Sequence, residues 1–151
     1  LSIYKSNKNV KKNKLNYEKK LNLSKVSTFK KFIKEINVSK NRLLKLLNEI
    51  SKKGKSIHCY GASTKGNVLL QYYKINNKMI KFAAERNKSK YNLYTPGSMI
   101  KIISEKISRS YKPDYYLVLP WHFKKEILIR EKKIRKSGTK LIFPLPKLEI
   151  I

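Results

Sequence analysis

Six consecutive residues, Gly61-Ala62-Ser63-Thr64-Lys65-Gly66, combine the residue types that hold an anion. Two glycines bracket two hydroxyls and a lysine. Before them runs a short apolar stretch, 57–60, and after them apolar residues recur at Val68, Leu69, Tyr72 and Tyr73. A strand, a glycine-bounded turn and a helix start together offer backbone N–H groups to a phosphate or carboxylate. Gly61 suits a backbone conformation closed to other residues, and Gly66 admits a ligand or a strand at short range. Neither stricter nucleotide signature is met. A P-loop needs Lys-Ser/Thr after its final Gly, whereas Lys65 precedes Gly66 and Asn67 follows it. The dinucleotide fingerprint needs Gly-x-Gly, whereas Ala62 and Ser63 follow Gly61. Nucleoside-triphosphatase and nicotinamide-dependent oxidoreductase readings are therefore disfavoured.

Further along, Glu85 closes an apolar run, 19 positions beyond Gly66. A carboxylate at the end of a second strand can accept two ribose hydroxyls, although a solvated strand-end Glu fits as well. Arg86, Lys88 and Lys90 follow, where a strand end meets phosphate naturally, although ordinary solvated charges in so basic a chain fit as well. His122 stands just beyond another apolar run and could serve as acid, base or donor near neutral pH, or cap the next helix. Its neighbour Trp121 could stack on a planar base or sugar, or seal the core. His58, within a strand, reads as structural. No carboxylate pair, nucleophile–base pair or metal-ligand cluster is visible, and no metal is expected. Taken alone, these residues describe a binding domain better than a complete catalyst, with His122 the one catalytic candidate.

The elements that must position them alternate. Phe29, Phe32, Ile33, Ile36, Leu43, Leu44, Leu46, Leu47 and Ile50 repeat with near-helical spacing. Ser27 is a plausible N-cap and Gly54 a stop, giving one long helix or two shorter ones broken near residues 37–39. A strand is expected over 80–84 and a loop over 86–97, with Pro96-Gly97 as a tight turn. A brief apolar run, 99–103, leads to a short helix near 104–110. Residues 115–120, YYLVLP, read as a strand buried on both faces. The spacing then predicts one long amphipathic helix with Phe123, Ile127, Leu128 and Ile134 inward and Lys124, Lys125, Glu131 and Lys132 outward, closed by Gly138. A last strand covers 140–143. This order predicts a parallel α/β sandwich.

The charge is extreme: 37 Lys+Arg against 9 Asp+Glu in 151 residues, a formal +28. Such a surface attracts polyanions. Only five of the basic residues are arginine, however, and Lys, Asn and Ile are abundant along the whole chain. That pattern reads as compositional bias more than as a face selected for base readout, so nucleic acid is not the expected partner. The single cysteine, Cys59, excludes an internal disulfide and a thiolate metal cluster. No apolar run approaches a membrane span and no signal peptide is visible, so no membrane partner and a cytoplasmic location are expected. Residues 1–26 read as a basic linker or remnant, weakly helical at best, and 27–151 as the domain. A start at Leu1 suggests the tail of a longer polypeptide.

Four stretches carry a resemblance. CYGASTKGNVLLQYY, AAERNKSKYNLYTPGSMIKIISE, KPDYYLVLPWHFKKEILIRE and GTKLIFPLPKLEII, in this order and spacing, resemble the C-terminal domain of the S-adenosylmethionine-dependent sugar C-methyltransferases. The resemblance covers about residues 28–151. It implies a Rossmann-like parallel sheet flanked by helices, here preceded by the basic segment and the long helix. It also implies a substrate-binding role toward a nucleotide-diphosphate sugar in deoxysugar biosynthesis. In the full-length family, zinc-binding and S-adenosylmethionine-binding domains lie upstream, and neither has a counterpart here. The methyl donor is thus not expected to bind this chain alone, and an upstream methyltransferase chain is a possible partner. By resemblance, Tyr60, Gly61, Ala62, Ser63, Lys65 and Gly66 lie near the sugar nucleotide. Glu85, Arg86, Pro96, Gly97, Trp121 and His122 complete the cleft wall. Two prolines usual in the family are Lys88 and Lys101 here. The whole enzyme would abstract a proton beside a ketone and pass the enolate to the donor methyl. The rival readings are a basic nucleic-acid-binding module and the folded remnant of a split methyltransferase gene.

Overall fold

A computed structural model describes residues 8–151. The described chain divides into two compact units, one ending at Val38 and the other spanning Ser39–Ile151.

In the first unit, α1 (Lys8–Lys20) is a regular helix. This differs from the weak helicity expected of the basic segment. The segment lacks Gly and Pro, and its Lys, Leu and Glu residues are good helix formers even without an apolar stripe. Asn22 ends the helix in the left-handed region, φ 53°, and the Asn22 and Leu23 amides donate to Lys19 and Glu18 carbonyls. Residues 1–7 of the same expectation lie outside the described residues. α2 (Val26–Lys52), which begins in this unit and ends in the second, is one continuous helix. Its start places Ser27 in the first turn and not at the cap, while the Thr28 hydroxyl donates to the Asn22 carbonyl at 2.8 Å. Gly54, φ 67°, closes the far end, with the Lys55 amide returning to the Ile50 carbonyl.

The second unit holds the sheet. Its strands are β1 (Ile57–Tyr60), β2 (Phe82–Glu85), β3 (Lys101–Ser104), β4 (Tyr115–Val118), β5 (Lys140–Phe143) and β6 (Glu149–Ile150). They lie in the order β3-β2-β1-β4-β5-β6. The first five are parallel, as expected, with β1 paired to β2 and β4. β6 returns antiparallel along β5. β3 is the strand that the sequence showed only as a brief apolar run. Helices α3 (Thr64–Tyr73), α4 (Glu105–Ser110), α5 (Lys124–Arg130) and α6 (Lys132–Lys136) connect and cover the strands.

Alternate strand residues face opposite layers. Tyr60, Tyr116, Val118, Leu141 and Phe143 form one buried layer with Ile127 of α5, and Trp121, Leu128 and Ile134 pack against it. Cys59, Leu117 and Ile142 are buried in register with them. His58 is buried too. Its Nδ1 lies 2.8 Å from the Ser108 hydroxyl, which in turn meets the Tyr116 hydroxyl at 2.8 Å. Burial lowers the His58 pKa to about 4, so the imidazole is neutral and structural.

Gly66 belongs to this packing. A Cβ there would stand 2.5 Å from the Leu119 Cβ, so the missing side chain lets the first turn of α3 approach the chain leaving β4. The close approach is thus to a strand end.

Candidate functional site

The strand order reverses between β1 and β4. After β1 the chain turns toward β2 and β3, and after β4 it turns toward β5. The loops leaving these neighbours therefore part at their carboxyl ends, where open α/β sheets bind ligands. A cleft of about 400 Å3 opens there.

One wall is the turn 61–63. Gly61 has φ 78°, its amide donates to the Ala84 carbonyl at 2.7 Å, and a Cβ would press on Pro120 at 3.1 Å. Ser63 caps α3, its Oγ accepting from the Gly66 amide at 3.1 Å. A second wall follows β2. Glu85 Oε2 accepts from the Ala62 amide at 2.9 Å, while Oε1 accepts from Arg86 at 2.8 Å and Asn87 at 3.0 Å. Lys90 Nζ lies 3.8 Å from the same carboxylate and donates to the Ala62 carbonyl at 3.1 Å. Burial alone would raise the Glu85 carboxyl. The three amides of Asn87, Ala62 and Arg86, helped by Lys90, outweigh it and hold the group below its ordinary range. Glu85 is a brace between two loops.

The third wall comes from α4 and α5 and is where the sequence reading changes most. Instead of one long helix there are two short ones, separated at Glu131, φ −96° and ψ 20°. Glu131, expected outward, is 2% exposed. Its Oε1 accepts from the Tyr60 hydroxyl at 2.7 Å, Arg130 Nε at 2.8 Å and Arg109 at 3.0 Å, and its Oε2 accepts from Arg109 at 3.1 Å. Arg130 also bonds the Tyr60 hydroxyl and Glu105. A carboxylate with this many donors is stable in the interior. The helical period placed it outward because the period assumed an unbroken helix. Phe123, expected inward, is half-exposed instead. Burial, followed by the bond to Glu131, raises the Tyr60 hydroxyl above the ordinary tyrosine range. Burial would lower Arg130, but Glu131, Tyr60 and Glu105 more than restore its charge.

Of the residues expected at the site, Tyr60, Gly61, Ala62, Ser63, Glu85 and Arg86 line this cleft. Gly66 sits behind it against Leu119, and Lys65 is exposed on the first turn of α3. Trp121 packs on the buried layer, the core-sealing alternative. His122 is exposed, with its ring 4.3 Å from that of Phe123. Pro96 and Gly97 are not brought to the cleft. Their turn precedes β3 at the amino end of the strands, where Gly97 abuts Gln71 in the last turn of α3. Lys90, expected beside Arg86 at the strand end, lines the cleft as well, whereas sequence reading missed Glu105, Arg130 and Glu131. One signal was available: of five arginines in a lysine-rich chain, Arg86, Arg109 and Arg130 gather here.

A larger recess of about 600 Å3 opens at the amino end of the strands, among Lys112, Asp114, Lys133 and Gly138. No parting strand loops meet there, so the smaller cleft is the better site. Among the described residues no group of three or more His, Cys, Asp or Glu is placed to hold a metal. None of the described helices is long and apolar enough to cross a membrane.

The chain is 33% identical over 110 residues to the C-methyltransferase NovU of Streptomyces niveus, an overlap of 73% of this chain. It spans only 26% of that relative's length. The profile of the C-methyltransferase C-terminal domain matches residues 3–146, and the chain belongs to that family.

Proposed function

We propose that this domain is the substrate-holding part of a C-methyltransferase, gripping a nucleotide-linked keto sugar in the cleft between β1 and β4. The observation that carries the reading is the cleft itself: a switch-point crevice with an arginine on each of two walls, in a chain of this family. Guanidinium groups suit a diphosphate, and the apolar edge near Phe123 and Ile127 suits a sugar or base face.

The residues present do not fit S-adenosylmethionine, the donor of the full-length enzymes. Glu85 stands where a ribose diol would be held, but its oxygens already accept three backbone amides. Ala62 is 4% exposed where a glycine would let the donor approach. The donor domain is then supplied by another part of a longer protein or by an upstream chain, in the cytosol, and this chain alone turns over no substrate.

The test is titration calorimetry with nucleoside-diphosphate sugars at low and moderate salt, for wild type and Arg86→Ala, with single-stranded RNA and S-adenosylmethionine as separate titrants. Saturable sugar-nucleotide binding, weakened in the variant, supports the reading. The formal +28 favours one rival, a nucleic-acid module. Steeply salt-dependent RNA binding that ignores the variant, with no sugar-nucleotide heat, would establish that rival instead. Methylation of a keto sugar by this chain alone refutes the claim of inactivity.

A further inference from the structure

The last residue of α5 occupies a position that the family-level reading does not assign. Arg130 lines the cleft, and its guanidinium is held along one edge only. Nε donates to Glu131, while one terminal nitrogen, Nη2, bonds both the Tyr60 hydroxyl and Glu105. The other terminal nitrogen, Nη1, makes none of these bonds. The side chain is 34% exposed, whereas the Glu131 that holds it is 2% exposed and anchored independently by Arg109.

Such a holder does two things. It removes the rotamer freedom that an arginine would otherwise lose on meeting a ligand, and it fixes the plane of the fork. It also balances charge, since Arg109 and Arg130 face Glu105 and Glu131. Attraction of a ligand here therefore rests on donor geometry more than on net charge. That geometry explains an arginine in a chain with only five of them. A lysine would supply the same charge but could not bond Glu131, Tyr60 and Glu105 in one plane and still offer a further N–H.

We infer that Arg130 receives the diphosphate of the bound nucleotide, and that Glu131 and Tyr60 are positioning residues that orient its guanidinium. This rests on the substrate reading above. Arg86 and Lys90, which follow β2 and line the same cleft, supply the remaining positive charge.

The experiment compares uridine and thymidine diphosphates with the corresponding nucleosides by calorimetry, using the full chain as wild type, Arg130→Lys and Glu131→Gln. Wild type is expected to prefer a diphosphate over its nucleoside by at least about tenfold. Arg130→Lys should remove most of that preference while leaving nucleoside affinity within about twofold, and Glu131→Gln should shift it the same way by less. A purely structural network would lower the melting temperature, or weaken both ligands equally, without changing the ratio. That result overturns the inference. If wild type binds diphosphates and Arg130→Lys binds them unchanged, the inference fails and the substrate reading stands. If wild type binds no nucleotide at all, the substrate reading fails first. Should the variants not fold, the assigned Arg130 Nε–H signal of the wild type is followed by NMR as inorganic pyrophosphate is added. A saturable shift supports the role, and an unmoved signal overturns it.

Discussion

The two ends of the sheet are both fastened by carboxylates, and the fastenings differ in kind. At the amino end, Asp114 joins the starts of β1 and β4. It accepts from the Ser56 amide at 2.8 Å, the Ser56 hydroxyl at 2.9 Å and Lys55 at 2.9 Å, and its own amide donates to the Ser56 hydroxyl. Its side chain is 33% exposed and its partner Lys55 more so. At the carboxyl end, Glu131 is almost wholly buried and ties α6 to β1, α4 and α5. The first clamp sets strand register in water. The second holds cations at fixed positions around a cleft. A carboxylate that only closes a sheet can remain wet, whereas one that aims an arginine must exclude competing water.

The sharpest way to break the comparison is Glu131→Ala. It removes the acceptor shared by the Tyr60 hydroxyl and two guanidinium groups, leaving both arginines only the more exposed Glu105 as a carboxylate partner. A buried pair broken on one side costs about 3–5 kcal/mol, and the arginines' partial exposure brings the expected loss to about 2–3 kcal/mol. Urea unfolding measures it. A loss no larger than that of Asp114→Asn would mean that the buried end is no more tightly fastened than the wet one.

Acid should separate the buried interior of the sheet from the wet amino-end clamp next. In the unfolded chain His58 titrates near 6.5, and in the fold burial moves it to about 4. The folded protein therefore binds fewer protons between those values, so its stability is full above about pH 6.5 and declines as pH falls toward 4. The expected decline is about 2 kcal/mol, absent in His58→Gln. Thermal unfolding across pH 7 to 4 checks it, and an equal decline in the variant would assign the effect elsewhere.

How much of this was legible follows from the same contrast. The strand–turn–helix at residues 57–73, the buried strand at 115–118 and the position of the cleft at their ends rest on local apolar runs and glycine chemistry, which a single chain displays. Glu85 was found for its place at a strand end, but its use as a brace depends on the Ala62 amide, 23 residues away. Glu131 was misread because its partners, Tyr60 and Arg109, lie 71 and 22 residues away, and no periodicity carries that information. Pro96 and Gly97 were recognised correctly as a turn. Their end of the sheet could not be known before β3 was recognised as a strand, because β3 fixes which way the turn faces.

At the amino end the predicted effect is smaller and lies at lower pH. The Ser56 amide and Lys55 hold the Asp114 carboxyl at about 2 instead of 3.8. A depressed carboxyl contributes stability that is present above about pH 4 and is lost as pH falls toward 2. Because the group is a third exposed, solvent screening reduces the expected contribution to about 1 kcal/mol. Asp114→Asn should remove it at pH 7 and flatten the profile between pH 4 and 2. It should leave nucleotide affinity unchanged, since the clamp stands at the far end of β1 from the cleft.

The smallest expected effect tests whether burial, and not ion pairing as such, makes the difference. Lys124 and Glu149 approach to 2.7 Å, tying the start of α5 to the antiparallel strand β6, with side-chain exposures of 33% and 43%. The distance is as short as any in the Glu131 network that lies in the ordinary range, but water reaches both partners. Exposed pairs of this kind contribute about 0.2–1 kcal/mol, so Glu149→Gln should cost about 0.5 kcal/mol and its effect should shrink in high salt. Glu131→Gln, measured beside it, should keep most of its larger cost at the same salt concentration. If salt erased both costs alike, the carboxyl-end network would be a surface ion pair in energetic terms, and its claim to hold Arg130 rigid would lose its physical basis.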